Sequence, residues 1–226
     1  MQRARIVRIE EHHAAVRSFF LEPKNMPAFI AGQFVAIALE AGGTERSYSI
    51  ASRPGNAELE LCISLKPDGY MSPALFAMQA GDSVFLSEPR GSFTLPDAQN
   101  EVCLICTGTG IAPFRSMLLH AFQAGDTRNF YLISGNRHEP EALYHKEMKS
   151  LAAAYPSFRY LPALSREHAD GFAHGYVHPV YEAIFADGRD ATFMVCGWTA
   201  MLSEARRRLK AMGYNRRQYH FEQYDG

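Results

Sequence analysis

Two rhythms of hydrophobic and polar positions divide the chain. Up to about residue 97, apolar and polar residues alternate in short runs, as at 5–9 and 58–65, the period-2 signature of strands with one buried face. Turn-forming clusters separate the runs: Ala41-Gly42-Gly43, Arg53-Pro54-Gly55-Asn56, Lys66-Pro67-Asp68-Gly69 and Ala80-Gly81-Asp82. Short strands at this spacing predict an antiparallel β-barrel or sandwich. One helix is expected over 73–78, with Ser72 as its N-cap. Beyond residue 98 the period lengthens. Apolar strands at 102–106, 130–134, 159–164 and 191–196 alternate with helical patterns at 113–123, 141–153, 177–185 and 200–212. Strands alternating with helices predict an α/β doubly wound parallel sheet. The expectation is a two-domain chain, 1–97 and 98–226.

Composition narrows the function classes. Of 226 residues, 47% are hydrophobic and 21% charged, a balance that lets two compact domains bury cores of their own. Lys and Arg total 23 against 24 Asp and Glu, so the basic excess of a general nucleic-acid binder is absent. Cys103 and Cys106 have the spacing of a redox or metal pair. Their surroundings, Val102-Cys103-Leu104-Ile105-Cys106, are apolar throughout and favour buried cysteines acting as small hydrophobes. No metal site and no plant-type iron–sulfur cluster are expected. No apolar run is long enough to span a membrane and the N-terminus has no apolar signal core, so a soluble cytoplasmic protein, read as a monomer, is expected.

The strand at 102–106 opens into Thr107-Gly108-Thr109-Gly110-Ile111-Ala112-Pro113 and then a helix. Glycines let a backbone approach a ligand closely, and the N–H groups at the start of a helix attract anions. Pro113 suits a first helical turn, where its missing N–H costs little. A pyrophosphate fits such a turn, although a plain strand-to-helix turn has the same outline, and the third glycine of the dinucleotide fingerprint is replaced by proline. A second strand end, Cys196-Gly197, precedes another helix. In open α/β sheets ligands bind outside such carboxyl ends. A buried cysteine before a turn glycine is the alternative.

In the first domain stands Arg46-Ser47-Tyr48-Ser49-Ile50-Ala51-Ser52, which resembles the R-x-Y-S flavin motif of the ferredoxin–NADP⁺ reductase family. The glycine turn, Cys196-Gly197 and Leu143-Tyr144-His145-Lys146-Glu147 extend the resemblance over nearly the whole chain, and Lys66-Pro67-Asp68-Gly69-Tyr70-Met71-Ser72 is similar to bacterial-type members. The resemblance implies an FAD-dependent oxidoreductase. Arg46 would pair with the FAD pyrophosphate, Tyr48 would lie against the isoalloxazine, and Ser49 would sit beside flavin N5. Cys62, Ile63 and Ser64 would line the flavin with strand backbone. Gly69, Tyr70, Met71 and Ser72 would face the FAD phosphates, with N–H groups and the Ser72 hydroxyl. Thr109 would lie near both cofactors, and Gly108, Gly110 and Pro113 would cradle the nicotinamide dinucleotide. Cys196 and Gly197 would border the nicotinamide.

At the C-terminal end, the resemblance gives Glu222 a part in flavin electrostatics or proton transfer, and Tyr224 a part in covering a ring. The chain departs from plant-type members, whose last residue is the stacking aromatic; here Asp225 and Gly226 follow, and a disordered tail is the alternative. Ser165, Arg166 and Arg137 would grip a 2′-phosphate, which implies NADPH, with NADH as the alternative and plain surface arginines as the simplest reading. The expected catalytic group is Ser49, Cys196 and Glu222. The expected partner is a separate ferredoxin or flavodoxin, docked on the basic stripe Arg206, Arg207, Arg208, Lys210, Arg216 and Arg217, or that stripe is a solvated helix face. Two competitors are an NAD(P)H:flavin reductase or oxygenase reductase component, and a non-catalytic redox-sensing nucleotide-binding module.

Overall fold

The computed structural model describes residues 1–224. It separates into two compact units: Met1–Leu95 together with Ala112–Ala124, and Pro96–Ile111 together with the chain from Gly125 onward.

The first unit is built on an antiparallel six-stranded sheet. Its strands are β1 (Gln2–His13), β2 (Val16–Pro23), β3 (Phe34–Ala38), β4 (Arg46–Ser49), β5 (Leu59–Ser64) and β6 (Ser83–Leu86), in the order β4-β3-β6-β1-β2-β5. The alternation in the sequence becomes the pleat: Ala4 and Ile6 on β1, Phe19 and Leu21 on β2, and Leu59, Leu61 and Ile63 on β5 all enter one core. The two end strands approach each other through an isolated Ile50–Leu61 bridge and an Ala51 N–H to Glu60 carbonyl bond of 2.8 Å. The sheet thus curls into a half-barrel. Helix α1 (Met71–Ala77) adds Met71 and Leu75, one turn apart, to the same core. It begins two residues before the expected position. Its N-cap is Tyr70, not Ser72, and makes no side-chain cap bond.

The second unit is a parallel six-stranded sheet. Its strands are β7 (Glu101–Thr107), β8 (Phe130–Asn136), β9 (Phe158–Leu164), β10 (Ala173–His174), β11 (Ala191–Gly197) and β12 (Tyr219–Gln223), in the order β10-β9-β8-β7-β11-β12. Helices α2 (Ile111–Gln123), α3 (His145–Ala154), α4 (Val177–Ile184) and α5 (Thr199–Ala211) follow its strands, although α2 from Ala112 onward clusters with the first unit. The centres of β7, β8 and β11 are buried, which explains their unbroken apolar runs. Tyr181 of α4 and Phe185, which caps that helix, pack edge-on against Phe193, and α5 contributes Leu202, Ala205 and Leu209 along one helical face. The alternation of strands and helices is as expected from the sequence.

Two details differ from expectation. The tail is not a loose end up to residue 224, since β12 pairs in parallel with β11. Helix α3 starts at His145 rather than near 141, because a 3₁₀ turn at Glu139–Glu141 and a left-handed Tyr144 (φ 55°) interrupt the helical path. Among the described residues, no helix is long and apolar enough to cross a membrane.

Candidate functional site

In the first unit the motif strand β4 lies at the end of the sheet. Arg46 is exposed, Tyr48 half-buried and Ser49 buried. The Arg46 guanidinium donates to the Glu45 carbonyl at 2.8 Å. Burial pushes the Tyr48 phenol up to about 12, the nearby Arg46 cation opposing it, so this ring stays neutral and presents an uncharged aromatic surface. On β5, Cys62 and Ile63 are buried and Ser64 is exposed. The Ile63 side chain belongs to the core, so this stretch can offer a ligand its backbone and little else.

The turn before α1 is closed by its own hydrogen bonds. Ser72 is buried, accepts from the Lys66 amide at 2.8 Å and donates back to the Lys66 carbonyl at 3.3 Å. Its hydroxyl thereby ties the 66–72 loop to the start of α1. Gly69 turns the same loop by bonding to the Lys66 carbonyl at 2.8 Å. Met71 is buried in the core, and Tyr70 stands 54% exposed. The cation, the neutral ring and the strand-edge backbone suit a flavin nucleotide.

A buried polar network, which sequence reading missed, holds the segment just after the motif. Arg115 of α2 donates to Glu60 at 2.7 Å and to the Ala51 carbonyl at 2.8 Å. Glu60 also accepts from Ser18 at 2.8 Å, and Ser18 meets His12 at 2.9 Å. Ser116 donates to the Ser52 carbonyl at 2.7 Å, and the Ser52 hydroxyl accepts the Glu60 amide at 3.0 Å. The side chains of Arg115 and Glu60 are only 14% and 5% exposed, so the pair is desolvated and depends on this full set of partners.

In the second unit the site is made of backbone. The strand β7 gives way to a 3₁₀ turn, Gly108–Gly110, that leads directly into α2. Gly110 is pressed against β11: a Cβ there would stand 2.5 Å from the Cys196 carbonyl oxygen. Gly197 takes φ 140°, and a side chain would overlap the Thr107 hydroxyl. These glycines bring the β7 and β11 ends together where the sheet order reverses, the position at which open α/β sheets bind nucleotides. Gly108 and Thr109 are partly exposed on the turn, whereas Pro113 is buried in the first turn of α2 and serves the helix start rather than an open surface. The buried Asn136 amide nitrogen at the end of β8 has no hydrogen-bond partner among the described residues. Backbone donors, a glycine cradle and an unsatisfied amide fit a phosphate-bearing dinucleotide.

The parallel pairing of β11 with β12 sets Cys196 opposite Glu222. The Cys196 thiol points its hydrogen at Glu222 Oε2 over 3.9 Å. Burial raises the Cys196 pKa well above its usual value, and the Glu222 charge raises it further, so the group stays a thiol. The Tyr224 amide donates to the Gly197 carbonyl at 3.1 Å, which extends the same edge by one residue. Asp225 and Gly226 lie outside the described residues. Cys103 and Cys106 are both buried with raised pKa, burial being the main cause, as expected of packed thiols.

Arg137 and Arg166 are exposed just past the ends of β8 and β9. The Arg166 amide donates to the Arg137 carbonyl at 3.1 Å, and Ser165 bonds the Asn136 carbonyl through its amide at 3.0 Å and its hydroxyl at 3.3 Å. The expected 2′-phosphate residues therefore come together at one rim. The basic stripe is less uniform. Arg207 and Arg208 are tied to Glu204, and Arg208 also to Glu182, while Arg206 lies over the Phe221 ring at 4.7 Å.

Residues 5–95 match the oxidoreductase FAD-binding domain, and residues 104–207 the oxidoreductase NAD-binding domain. A ferredoxin–NADP reductase of Sorangium cellulosum is 31% identical over 236 residues, covering 98% of this chain and 97% of the relative. The chain belongs to the ferredoxin–NADP reductase family. Within this family of reductases its relatives diverge in use. The electron transfer component of toluate 1,2-dioxygenase from Pseudomonas putida is 28% identical over 88% of this chain, and the chain spans only 60% of its length. The crystal structure of a ferredoxin NADP⁺ reductase from Neisseria gonorrhoeae, with FAD and NADP bound, superimposes with a TM-score of 0.86 at 26% identity, covering 98% of this chain and 97% of that one.

Proposed function

We propose that this chain is an FAD-dependent reductase passing electrons between NADPH and a one-electron carrier, a ferredoxin or flavodoxin. The observation that supports it most is the pairing of a glycine-cradled strand end with Cys196 and Glu222 in one unit, and an intact Arg46-Ser47-Tyr48-Ser49 edge strand in the other. In this reading residues 1–97 carry the flavin and 98–226 the dinucleotide, and the protein acts as a cytoplasmic monomer.

Bound FAD would supply the exchange of a two-electron hydride for single electrons. The chain's own residues bind and orient. Arg46 offers a two-pronged donor to a pyrophosphate. Tyr48 gives a neutral ring to an aromatic face. Cys62, Ile63 and Ser64 offer strand backbone, and Gly69, Tyr70 and Met71 the backbone of a helix start. Ser49 would hydrogen-bond the reacting edge of the flavin. Gly108, Thr109 and Gly110 receive the dinucleotide pyrophosphate, with Pro113 fixing the helix behind them. Cys196, held as a thiol by burial and by Glu222, keeps a small uncharged surface beside Gly197, while Glu222 accepts and returns a proton at its carboxylate. Arg137, Ser165 and Arg166 recognise a 2′-phosphate through charge and fork geometry. Tyr224 continues the β12 edge toward a ring.

A second reading, the NADH-dependent reductase of an oxygenase, draws on the similarity to the toluate dioxygenase component. Anaerobic stopped-flow reduction of the FAD-loaded protein separates the two. Fast bleaching of flavin absorbance by NADPH, with NADH far slower, supports the first. Preference for NADH supports the second, and a protein that takes up no FAD removes both.

A further inference from the structure

The chain contains a single tryptophan, Trp198, and it is 59% exposed. Indole is usually buried over most of its surface, or kept at a boundary where it meets a partner. Trp198 is held on a rigid turn. Its amide donates to the Thr107 hydroxyl at 3.4 Å, and its carbonyl accepts the Leu202 amide at 3.0 Å as α5 begins. Gly197 just before it is buried, with no room for a side chain. The ring therefore leaves the chain at the carboxyl end of β11, next to the turn that follows β7, where the sheet order reverses.

Arg137, past the end of β8, places its guanidinium carbon 5.9 Å from the centre of the indole. That is near the outer limit of a cation–π contact, so the cation is easily drawn away and the π surface stays available. The 2′-phosphate proposed for Arg137 is a stronger partner for it than an indole is. Asn136 beside it has the buried amide nitrogen without a partner, a second sign that this rim is completed by something polar.

We propose that Trp198 is a stacking wall for the nicotinamide ring, holding the oxidised, cationic ring more tightly than the reduced, neutral one. The inference rests on the dinucleotide role proposed for this unit. A pyridinium is a planar cation and gains both stacking and cation–π attraction from indole; the dihydropyridine gains only the stacking. Once Arg137 has turned to the 2′-phosphate, the ring's place beside the indole is open to that cation. The consequence is retention of NADP⁺ after NADPH has been oxidised, and capture of NADP⁺ when electrons flow the other way.

Because Trp198 is the only tryptophan, its emission reports on this wall alone. The FAD-loaded protein is titrated with NADP⁺, with nicotinamide mononucleotide and with 2′-phospho-AMP. NADP⁺ and the mononucleotide are expected to quench the emission strongly, and 2′-phospho-AMP, which has no nicotinamide, to change it only by the small amount that withdrawal of Arg137 causes. Trp198→Leu is expected to raise the Kd for NADP⁺ about fivefold, with a smaller change for NADPH and none for 2′-phospho-AMP, whose retained binding shows that the unit has folded. Trp198→Phe should fall between. Quenching by 2′-phospho-AMP as strong as by NADP⁺ overturns the proposal. So does unquenched emission at saturating NADP⁺ in a protein whose flavin NADPH still bleaches. Flavin that NADPH fails to bleach, together with unquenched emission, removes the proposed function as well.

Discussion

In the antiparallel unit the candidate ligand contacts are side chains on a strand edge, Arg46 and Tyr48, backed by a buried ion pair whose arginine grips the Ala51 carbonyl. In the parallel unit they are chiefly backbone: Gly108 on its left-handed turn, and Gly110 and Gly197, where the absence of a Cβ lets two strand ends come close. The first arrangement holds its geometry through partners far apart in sequence, such as Glu60 and Arg115. The second holds it through local conformation. The two should therefore fail differently: one when a charge loses its partner, the other when an atom is added.

Glu60→Ala probes the first mode most severely. It strands the Arg115 guanidinium in a desolvated setting, and the loss should be about 4 kcal/mol of unfolding free energy, read from the denaturant midpoint. Replacing Glu60 and Arg115 together with apolar residues should restore much of it while leaving flavin affinity weakened, because the Ala51 carbonyl loses its Arg115 donor. If the double variant bound FAD normally, the network would be structural only. Gly110→Ala probes the second mode. The new methyl meets the Cys196 carbonyl, backbone that cannot step aside, and the cost should be about 2 kcal/mol in stability with a rise in the KM for NADPH. A Gly108→Ala variant meets no atom within 4 Å but must hold φ 53°, so its cost should be smaller, about 1 kcal/mol.

These differences also mark what the sequence revealed. The parallel unit was legible because its signals are local: apolar runs of strand length, helical periods between them, and glycines at the strand ends. The buried arginine pair was not, because Glu60 reads as one more polar residue in an alternating run, and Arg115 as an ordinary helix position; only the fold brings them to 2.7 Å. Ser72 looked like an N-cap because of its place before a helical pattern, yet it lies inside the first turn of α1 and its hydroxyl bonds the Lys66 backbone. The strand β12 was missed since five residues of mixed polarity give no clear period, and its partner β11 supplies the reason it is extended. The pairing of Cys196 with Glu222 follows from that register, although both residues stood out individually.

Cofactor choice sharpens the comparison on the backbone-built side, where side chains add only discrimination. Arg166→Leu should leave the fold and the glycine turn intact, and lower kcat/KM for NADPH about thirtyfold while changing that for NADH little, the size of one charge-assisted contact. An equal loss for both cofactors would mean that Arg166 touches a part common to the two.

The smallest effect is spread over both units. His12 in the antiparallel unit, and His145 and His178 in the parallel one, each have a pKa below the usual 6.5, with burial as the leading cause. Near neutrality and above, folded and unfolded chains alike leave these rings uncharged. As the pH falls through about 6.5, the unfolded chain takes up protons first, so stability declines on the acid side and levels off once the folded rings are protonated too. The melting temperature should accordingly drop between pH 7 and pH 5 by more than a loss of surface ion pairs accounts for. His12 separates the units, since it alone touches the Ser18–Glu60–Arg115 network, where the Glu60 charge pulls its pKa back up against burial. His12→Gln keeps a hydrogen-bonding group toward Ser18 and removes the proton uptake. It should flatten one share of the acid slope and leave the parts due to His145 and His178 in place. An acid slope that His12→Gln leaves untouched would show that this ring takes up protons equally in the folded and unfolded chains, and the pH sensitivity would then belong to the parallel unit.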